Sequence, residues 1–353
     1  MDPKTLKKNN WLISQSAEHI LERGTEMDGH SSIVTGGAGF IGSHLTERLL
    51  KEAFKVTVLD NFSAGKIENL EHVKNHPHLV IVKKDLKGEL QMKQMIDECE
   101  VIYHLAANPE VRVGETQPKV HFDENIKATF NLLESIRQAK TQKTIVFTST
   151  STVYGETNQI PTPEEYAPLI PISTYGASKL ACEALITSYA YTFNHKALIL
   201  RLANVIGRKS NHGVIADFIK KIRGNPNELE IMGDGKQEKS YIHVEDCIEA
   251  IMHLTAHFSK TDKRVEIYNI GSSDRITVRE IAKIVSSTMN RPRIDFKFTG
   301  GIEGGRGWKG DIKTMQLSIE KLLKTGWKPR HNSRQSVELA VNELYRTQEV
   351  SPT

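Results

Sequence analysis

Ile33-Val34-Thr35-Gly36-Gly37-Ala38-Gly39-Phe40-Ile41-Gly42-Ser43-His44 is the stretch on which the reading of this chain turns. A short apolar strand runs into Gly36, Gly39 and Gly42, then into a helix carrying Leu45, Leu49 and Leu50. A side chain at those glycines would block a tight strand-to-helix turn, the approach of a pyrophosphate, or the packing of helix on strand. The N–H groups that open such a helix, with the positive end of its dipole, favour an anion. A glycine triplet alone also fits an ordinary tight turn. Its surroundings decide. Lys55 to Leu59 reads as a second strand and ends in Asp60, an acid suited to the adenosine ribose hydroxyls of NAD and repelling the extra phosphate of NADP. The stretch predicts a dinucleotide site.

At 353 residues the chain is long enough for two associated domains. Hydrophobic residues at 38% and charged residues at 25% predict a globular rather than a disordered protein. A net charge of +4 calls for neither nucleic acid nor a membrane surface, and is compatible with an anionic substrate. Cys99, Cys182 and Cys247 stand far apart, which reads as reduced intracellular thiols with no disulfide framework and no zinc or other metal site. No apolar run approaches the roughly 18 residues that cross a bilayer, so a cytoplasmic protein is expected. Residues 1–30 precede the first strand as an extension. Asn10 to Arg23 could form an amphipathic helix, with Ile13, Ala17, Ile20 and Leu21 on one face and Gly24 as its stop. Lys4, Lys7 and Lys8 hint at a signal sequence, but Gln15, Glu18 and Glu22 interrupt any apolar core, and Met27 is an alternative start.

Strands and helices then alternate. Leu79 to Lys83 is a strand leading to Asp85-Leu86, and Val101 to Leu105 is another, followed by the small pair Ala106-Ala107. Ile126 to Ala139 reads as a helix with Phe130, Leu133 and Ile136 at helical spacing, before the strand Thr144 to Phe147. Such βαβ repetition predicts an α/β fold, a doubly wound parallel sheet with the ligand at the strands' carboxyl ends. His72, His76 and His78 lie in a polar loop with Pro77 and lack a metal-binding spacing.

The fifth strand enters Thr148-Ser149-Thr150-Ser151-Thr152, a hydroxyl run at the sheet's ligand end. Downstream, Tyr175 and Lys179 open a long helix through Ala190 and share one of its faces. A phenol ordinarily titrates near 10, and an adjacent ammonium favours its ionised form. Lys179 with a positively charged nicotinamide could therefore make Tyr175 a base near neutrality. A Tyr/Lys pair on a solvated helix is the bland alternative.

Gly36, Gly39, Gly42, Asp60, Asp85, Ala106-Ala107, Thr150, Tyr175 and Lys179 together resemble the extended short-chain dehydrogenase/reductase family. Within it the chain is most similar to the UDP-glucose (UDP-galactose) 4-epimerases of archaeal type. The resemblance spans roughly residues 31 to 348. It is carried by His104-Leu-Ala-Ala-Asn-Pro-Glu-Val-Arg112, Arg201-Leu-Ala-Asn-Val-Ile-Gly207, His212-Gly-Val-Ile215, Gly233-Asp-Gly235, Ser240-Tyr-Ile-His-Val244 and Gly305-Arg-Gly-Trp-Lys-Gly-Asp311.

The resemblance implies NAD held by Gly36, Gly39, Phe40, Ile41, Gly42, Asp60, Asn61, Ser63, Asp85, Leu86, Leu105, Ala106, Ala107, Asn125, Thr148, Tyr175 and Lys179. It implies catalysis by Thr150, Tyr175 and Lys179. It further implies a UDP-sugar met by Asn108, Thr150, Ser151, Tyr175, Asn204, Val214, Lys239 and Arg306, with Lys239 and Arg306 facing the diphosphate. In similar dehydratases an Asp-Glu pair follows the hydroxyl at Thr150, and decarboxylases usually carry Glu at Thr152; here Ser151 and Thr152 stand in those places. Reversible oxidation at a sugar carbon remains. Two departures are Thr150 for the usual serine and Lys239 for the usual arginine, a point charge in place of a bidentate fork. The segment from Arg306 to Asp311 is also shorter than in bacterial and animal epimerases.

The expected domains are an NAD-binding unit, 31–204 plus 238–271, and a smaller α/β nucleotide-sugar lobe, 205–237 plus 272–348. The helices Asn125–Ala139 and Ser178–Ala190 are expected to form a four-helix interface in a homodimer. Two other functions stay open. One is the same fold acting on UDP-glucuronate or a UDP-N-acetylhexosamine, with Arg112 meeting a carboxylate; the other is a dinucleotide-sensing protein without catalysis.

Overall fold

The computed structural model describes residues 30–88 and 90–349; the helix expected over 10–23 lies outside them. Seven strands make one sheet: β1 Ser31–Thr35, β2 Lys55–Asp60, β3 Leu79–Lys83, β4 Val101–His104, β5 Thr144–Thr150, β6 Lys196–Leu202 and β7 Val265–Ile270. Their order is β3-β2-β1-β4-β5-β6-β7, and every neighbouring pair is parallel. The order reverses between β1 and β4, which opens a crevice at the carboxyl ends of those two strands.

Alternation along the strands serves two covered faces. Val146 and Leu200 face one side with Leu45 and Leu49 of helix α1 (Phe40–Lys51). Ile145, Phe147 and Ile199 face the other. There they meet helices α2 (Lys93–Glu98), α3 (Ala128–Arg137) and α4 (Thr174–Thr192) through Ile96, Leu133, Ile136, Cys182 and Ile186. Burying one such aliphatic side chain contributes about 1.5–3 kcal/mol, so the two apolar layers hold the sheet without help from its polar edges.

Beyond β6 the chain leaves the sheet for helix α5 (Val214–Gly224), returns through Tyr241–His243 and helix α6 (Val244–Ser259), and adds β7 beside β6. Ile248 and Ile251 of α6 complete the α1 face. A separate core joins α5, α7 (Val278–Thr288) and α8 (Ser333–Glu349) through Phe218, Ile219, Ile281, Val285, Val337 and Val341. A capping box at Thr277 and Glu280 starts α7. The doubly wound α/β sheet with a smaller α/β lobe is thus present.

One helix differs from expectation. Phe122–Lys127 is π-helical and precedes α3, and Phe130 is 43% exposed rather than part of the core. The buried stripe of α3 runs through Thr129, Leu132, Leu133 and Ile136, so Phe130 lies just off its edge and stacks edge-on against Tyr189. His72 pairs with Glu47, and no cluster of metal-ligating side chains occurs among the described residues. The three cysteines are free and buried. No helix among the described residues is long and apolar enough to cross a membrane.

The return of the chain is pinned at Asp246, buried in the first turn of α6. It accepts bonds from Arg330 Nε at 2.6 Å, His331 Nδ1 at 3.0 Å and two backbone N–H groups at 3.1 Å. Burial would raise its carboxyl, but the bonds from Arg330 and His331 win and hold it below the usual range. A depressed carboxyl contributes stability above the unfolded-state value and loses it as the pH falls through the folded one. Asp246→Asn should cost about 1–3 kcal/mol near neutral pH in urea unfolding, and the difference from wild type should close below about pH 4. Equal midpoints at neutral pH would overturn this assignment.

Candidate active site

The crevice at the β1/β4 reversal continues between the two lobes as a cleft of about 780 Å³. Its floor is the glycine turn. Gly36 has φ +70°, and a Cβ there would stand 2.8 Å from the backbone nitrogen of Ala106 at the end of β4. A Cβ on Gly42 would come within 2.1 Å of the Gly36 carbonyl oxygen. The turn therefore excludes side chains and leaves α1 starting against the cleft. That helix has neither a side-chain cap nor an acid in its first turn, so its N–H groups and dipole are available to a phosphate.

Asp60 closes the same end. Its two carboxylate oxygens accept the N–H groups of Ala38 at 2.9 Å and Phe62 at 2.8 Å, which leaves lone pairs for two sugar hydroxyls. Burial raises its carboxyl, and those two bonds oppose the rise. A side chain at Gly65 would collide with Asp60, at 2.8 Å from Oδ2. Asn61 hydrogen-bonds to Asp85, whose carboxyl burial would raise but backbone and side-chain bonds from Lys87 and Asn61 hold low. A dinucleotide fits this cradle: a bare turn for the pyrophosphate and a fixed carboxylate for the ribose.

At the other side of the crevice β5 ends in Thr150, whose hydroxyl accepts the Thr152 N–H at 3.2 Å and lies 3.1 Å from the Thr152 hydroxyl. Ser173 caps α4, which carries Tyr175 and Lys179 over that strand end. The Lys179 ammonium is buried above the Phe147 ring, 4.1 Å from its centroid. Burial pushes Lys179 down to about 8. It also pushes the Tyr175 phenol up to about 12, with the hydrogen bond from Thr150 pulling the other way. Without the nicotinamide, desolvation dominates both groups, and the ammonium lies on the Phe147 ring of β5.

The expected site residues line this cleft with three exceptions, Asn108, Asn125 and Arg306. Asn125, in the π-helical segment, accepts the Asn108 N–H at 2.8 Å and donates to Ser178 Oγ at 2.8 Å; Ser178 in turn donates to the Tyr175 carbonyl at 2.7 Å. The asparagines brace the catalytic turn from behind. Arg306 pairs with Glu156, and the Asp311 carbonyl takes its Nε–H at 3.0 Å. Lys239 does face the cleft, paired with the buried Asp311 carboxylate at 2.6 Å. Trp308, absent from the expected set, has Lys239 and Arg112 over its ring at 5.4 and 5.8 Å.

Comparison with known proteins agrees with this geometry. The family model described as "NAD dependent epimerase/dehydratase family" matches residues 32–271. The chain belongs to that family. A Methanocaldococcus jannaschii protein provisionally named a UDP-glucose 4-epimerase is 32% identical, over 88% of this chain and 97% of its own. UDP-glucuronic acid decarboxylase 2 of Arabidopsis thaliana is 30% identical, over 91% of this chain and 69% of its own. A crystal structure of a UDP-galactose 4-epimerase superposes with TM-score 0.80 at 41% identity, covering 91% of this chain and all of the other. The extended short-chain dehydrogenase/reductase resemblance and the NAD cofactor both stand.

The position of Asp60 sets a cofactor preference. An NADP 2′-phosphate would meet a buried carboxylate and lose a ribose hydrogen bond, at a cost of about 1–3 kcal/mol, or one to two decades in affinity. Titration of the cofactor-free protein should give that margin for NAD, and equal or tighter binding of NADP would refute it.

Proposed function

We propose that the protein interconverts UDP-glucose and UDP-galactose by 4-epimerisation through a transient 4-keto sugar. The observation that carries this reading is the convergence of Tyr175, Thr150 and Lys179 where β5 ends, with Ser151 and Thr152 following rather than a carboxylate pair. Dehydration and decarboxylation have no acid–base pair beside Thr150 to serve them. When bound, NAD accepts and returns a hydride and brings a positive ring into this pocket. Tyr175 takes the proton from the sugar 4-hydroxyl as C4 is oxidised, and gives it back after the keto sugar has turned over. Thr150 hydrogen-bonds the oxygen between them. Lys179 favours the phenolate once the pocket holds a second positive charge, which burial alone opposes. Asn204, Val214 and Lys239 hold the UDP, and Lys239 answers the diphosphate as a point charge aimed by Asp311.

Arg112 supports a second substrate reading. It lines the cleft with a half-exposed guanidinium tied to Glu110 at 3.1 Å, a cation able to meet a sugar carboxylate such as that of UDP-glucuronate. Incubation with a panel of UDP-sugars, with products identified by NMR, separates the two. Interconversion of UDP-glucose and UDP-galactose supports the first, and turnover confined to UDP-glucuronate replaces it with the second. NADH accumulating with product would instead mean a dehydrogenase.

Tyr175→Phe keeps the ring and deletes the proton acceptor. Turnover should fall by about 10² to 10⁴, a general-base factor, with NAD and UDP affinities little changed. Wild-type turnover in a folded, NAD-loaded variant would sink the assignment.

The quaternary reading is a homodimer across α3 and α4. Their outer side presents Phe130 with Tyr189 and Phe193, apolar surface that a second copy would remove from water. Sedimentation at micromolar concentration should give twice the chain mass, and a monomer would refute it.

A further inference from the structure

Two buried ionised groups take no part in the chemistry above. Glu183, on α4, lies one helical turn beyond Lys179 and two beyond Tyr175. It accepts the Ser149 hydroxyl at 2.5 Å and a bidentate pair from Arg201, Nε at 3.1 Å and Nη2 at 2.7 Å. Ser149 is the β5 residue beside Thr150, and Arg201 is on β6. All three are at least nine-tenths buried. The guanidinium is fixed in turn by the Tyr154 ring, 4.7 Å away, and by the Glu164 carbonyl at 3.2 Å. A buried ion pair is a weak source of net stability, because desolvation offsets most of its attraction. Its placement is the informative part. The clamp joins the helix that carries the base to the strand that carries Thr150.

From this geometry we infer that Glu183 is a positioning residue. It fixes α4 against β5 and β6, so that Tyr175 meets Thr150, and it places a carboxylate one helical turn from Lys179. The inference rests on the reading of Tyr175 as base. Lys179 is faced by Tyr175, Cys182 and Glu183 from its own helix, by Phe147 from β5 and by His104 from β4, with Arg201 behind Glu183 on β6 and His121 against the Tyr175 ring. Burial lowers Lys179, and Cys182 and then the Glu183 carboxylate oppose it.

The sign of the test follows. The ammonium is present below its titration point and lost above it, so turnover falls on the alkaline side. Removing the carboxylate moves that fall to lower pH, and an unpaired Arg201 moves it the same way. In Glu183→Gln, turnover should drop on the order of tenfold to a hundredfold through misplacement of the base. The alkaline limb should move to lower pH. KM for the UDP-sugar and the NAD dissociation constant, read by fluorescence, should stay within about twofold. Should this variant not fold, Glu183→Leu with Arg201→Met keeps the volume without buried charge and is expected to fold. It should show the same slower turnover and lowered alkaline limb. Wild-type turnover and limb in either folded variant would overturn the inference, as would a change confined to KM or NAD binding. Tyr175→Phe is run alongside. If it is inactive while Glu183→Gln behaves as wild type, only this inference falls; if it is fully active, the base reading falls and takes this one with it.

Discussion

A parallel sheet whose strand order reverses has to leave a gap where the two crossover connections diverge, and everything else here is arranged about that gap. Strands β1 and β4 are neighbours, yet their connections leave to opposite faces. The backbone at the gap is held so tightly that Gly36 and Gly42 could carry no side chain without striking Ala106 or Gly36. Because neither side chain nor helix can fill it, the protein meets an outside ligand with bare backbone, a helix start and the residues at six strand ends. The smaller lobe then needs only to roof the opening.

Chemistry in that opening is governed by the contest between burial and charge. Desolvation works against both members of the Tyr175/Lys179 pair, raising the phenol and lowering the amine. Each shift alone disfavours the ionised form that proton abstraction requires. A low-dielectric pocket amplifies any charge that enters it, however, so a cationic ring arriving beside the phenol counts for far more than it would in water. Burial and the charge of the bound cofactor therefore act on this pair in opposite directions. Lys239 is handled similarly, carried to the cleft already matched with Asp311 instead of standing as an unpaired cation.

What could be read from the chain follows what is local in it. The glycine turn, Asp60 at a strand end and the Tyr175/Lys179 spacing are set by a few neighbouring residues, and each lies where local reasoning puts it. The doubly wound sheet was equally legible, because each strand is a short run rich in Val, Ile or Leu and each connection is helical. Other features depend on partners distant in sequence. Arg306 pairs with Glu156, and no spacing rule links those positions. Asn108 and Asn125 satisfy one another behind the site, through a π-helical segment that a simple helical period passes over. Helical spacing groups Phe130 with Leu133 and Ile136, but which of them are buried depends on what packs against α3, and Phe130 lies outside its buried stripe. The burial that raises the Tyr175 phenol and lowers Lys179 depends on the whole fold and, unlike charge, cannot be counted from sequence.

The path of the chain carries a consequence for how the molecule is assembled. Strand β7 completes the sheet by pairing with β6, yet between them the polypeptide leaves, builds α5 and the short strands of the smaller lobe, and returns through α6. Docking the last strand closes that whole excursion into a loop, so this pairing carries a larger loop-closure cost than those between strands joined by one helix. The two walls of the cleft are thus tied in sequence as well as in space, because the chain passes from one to the other and back before its last sheet strand is in place.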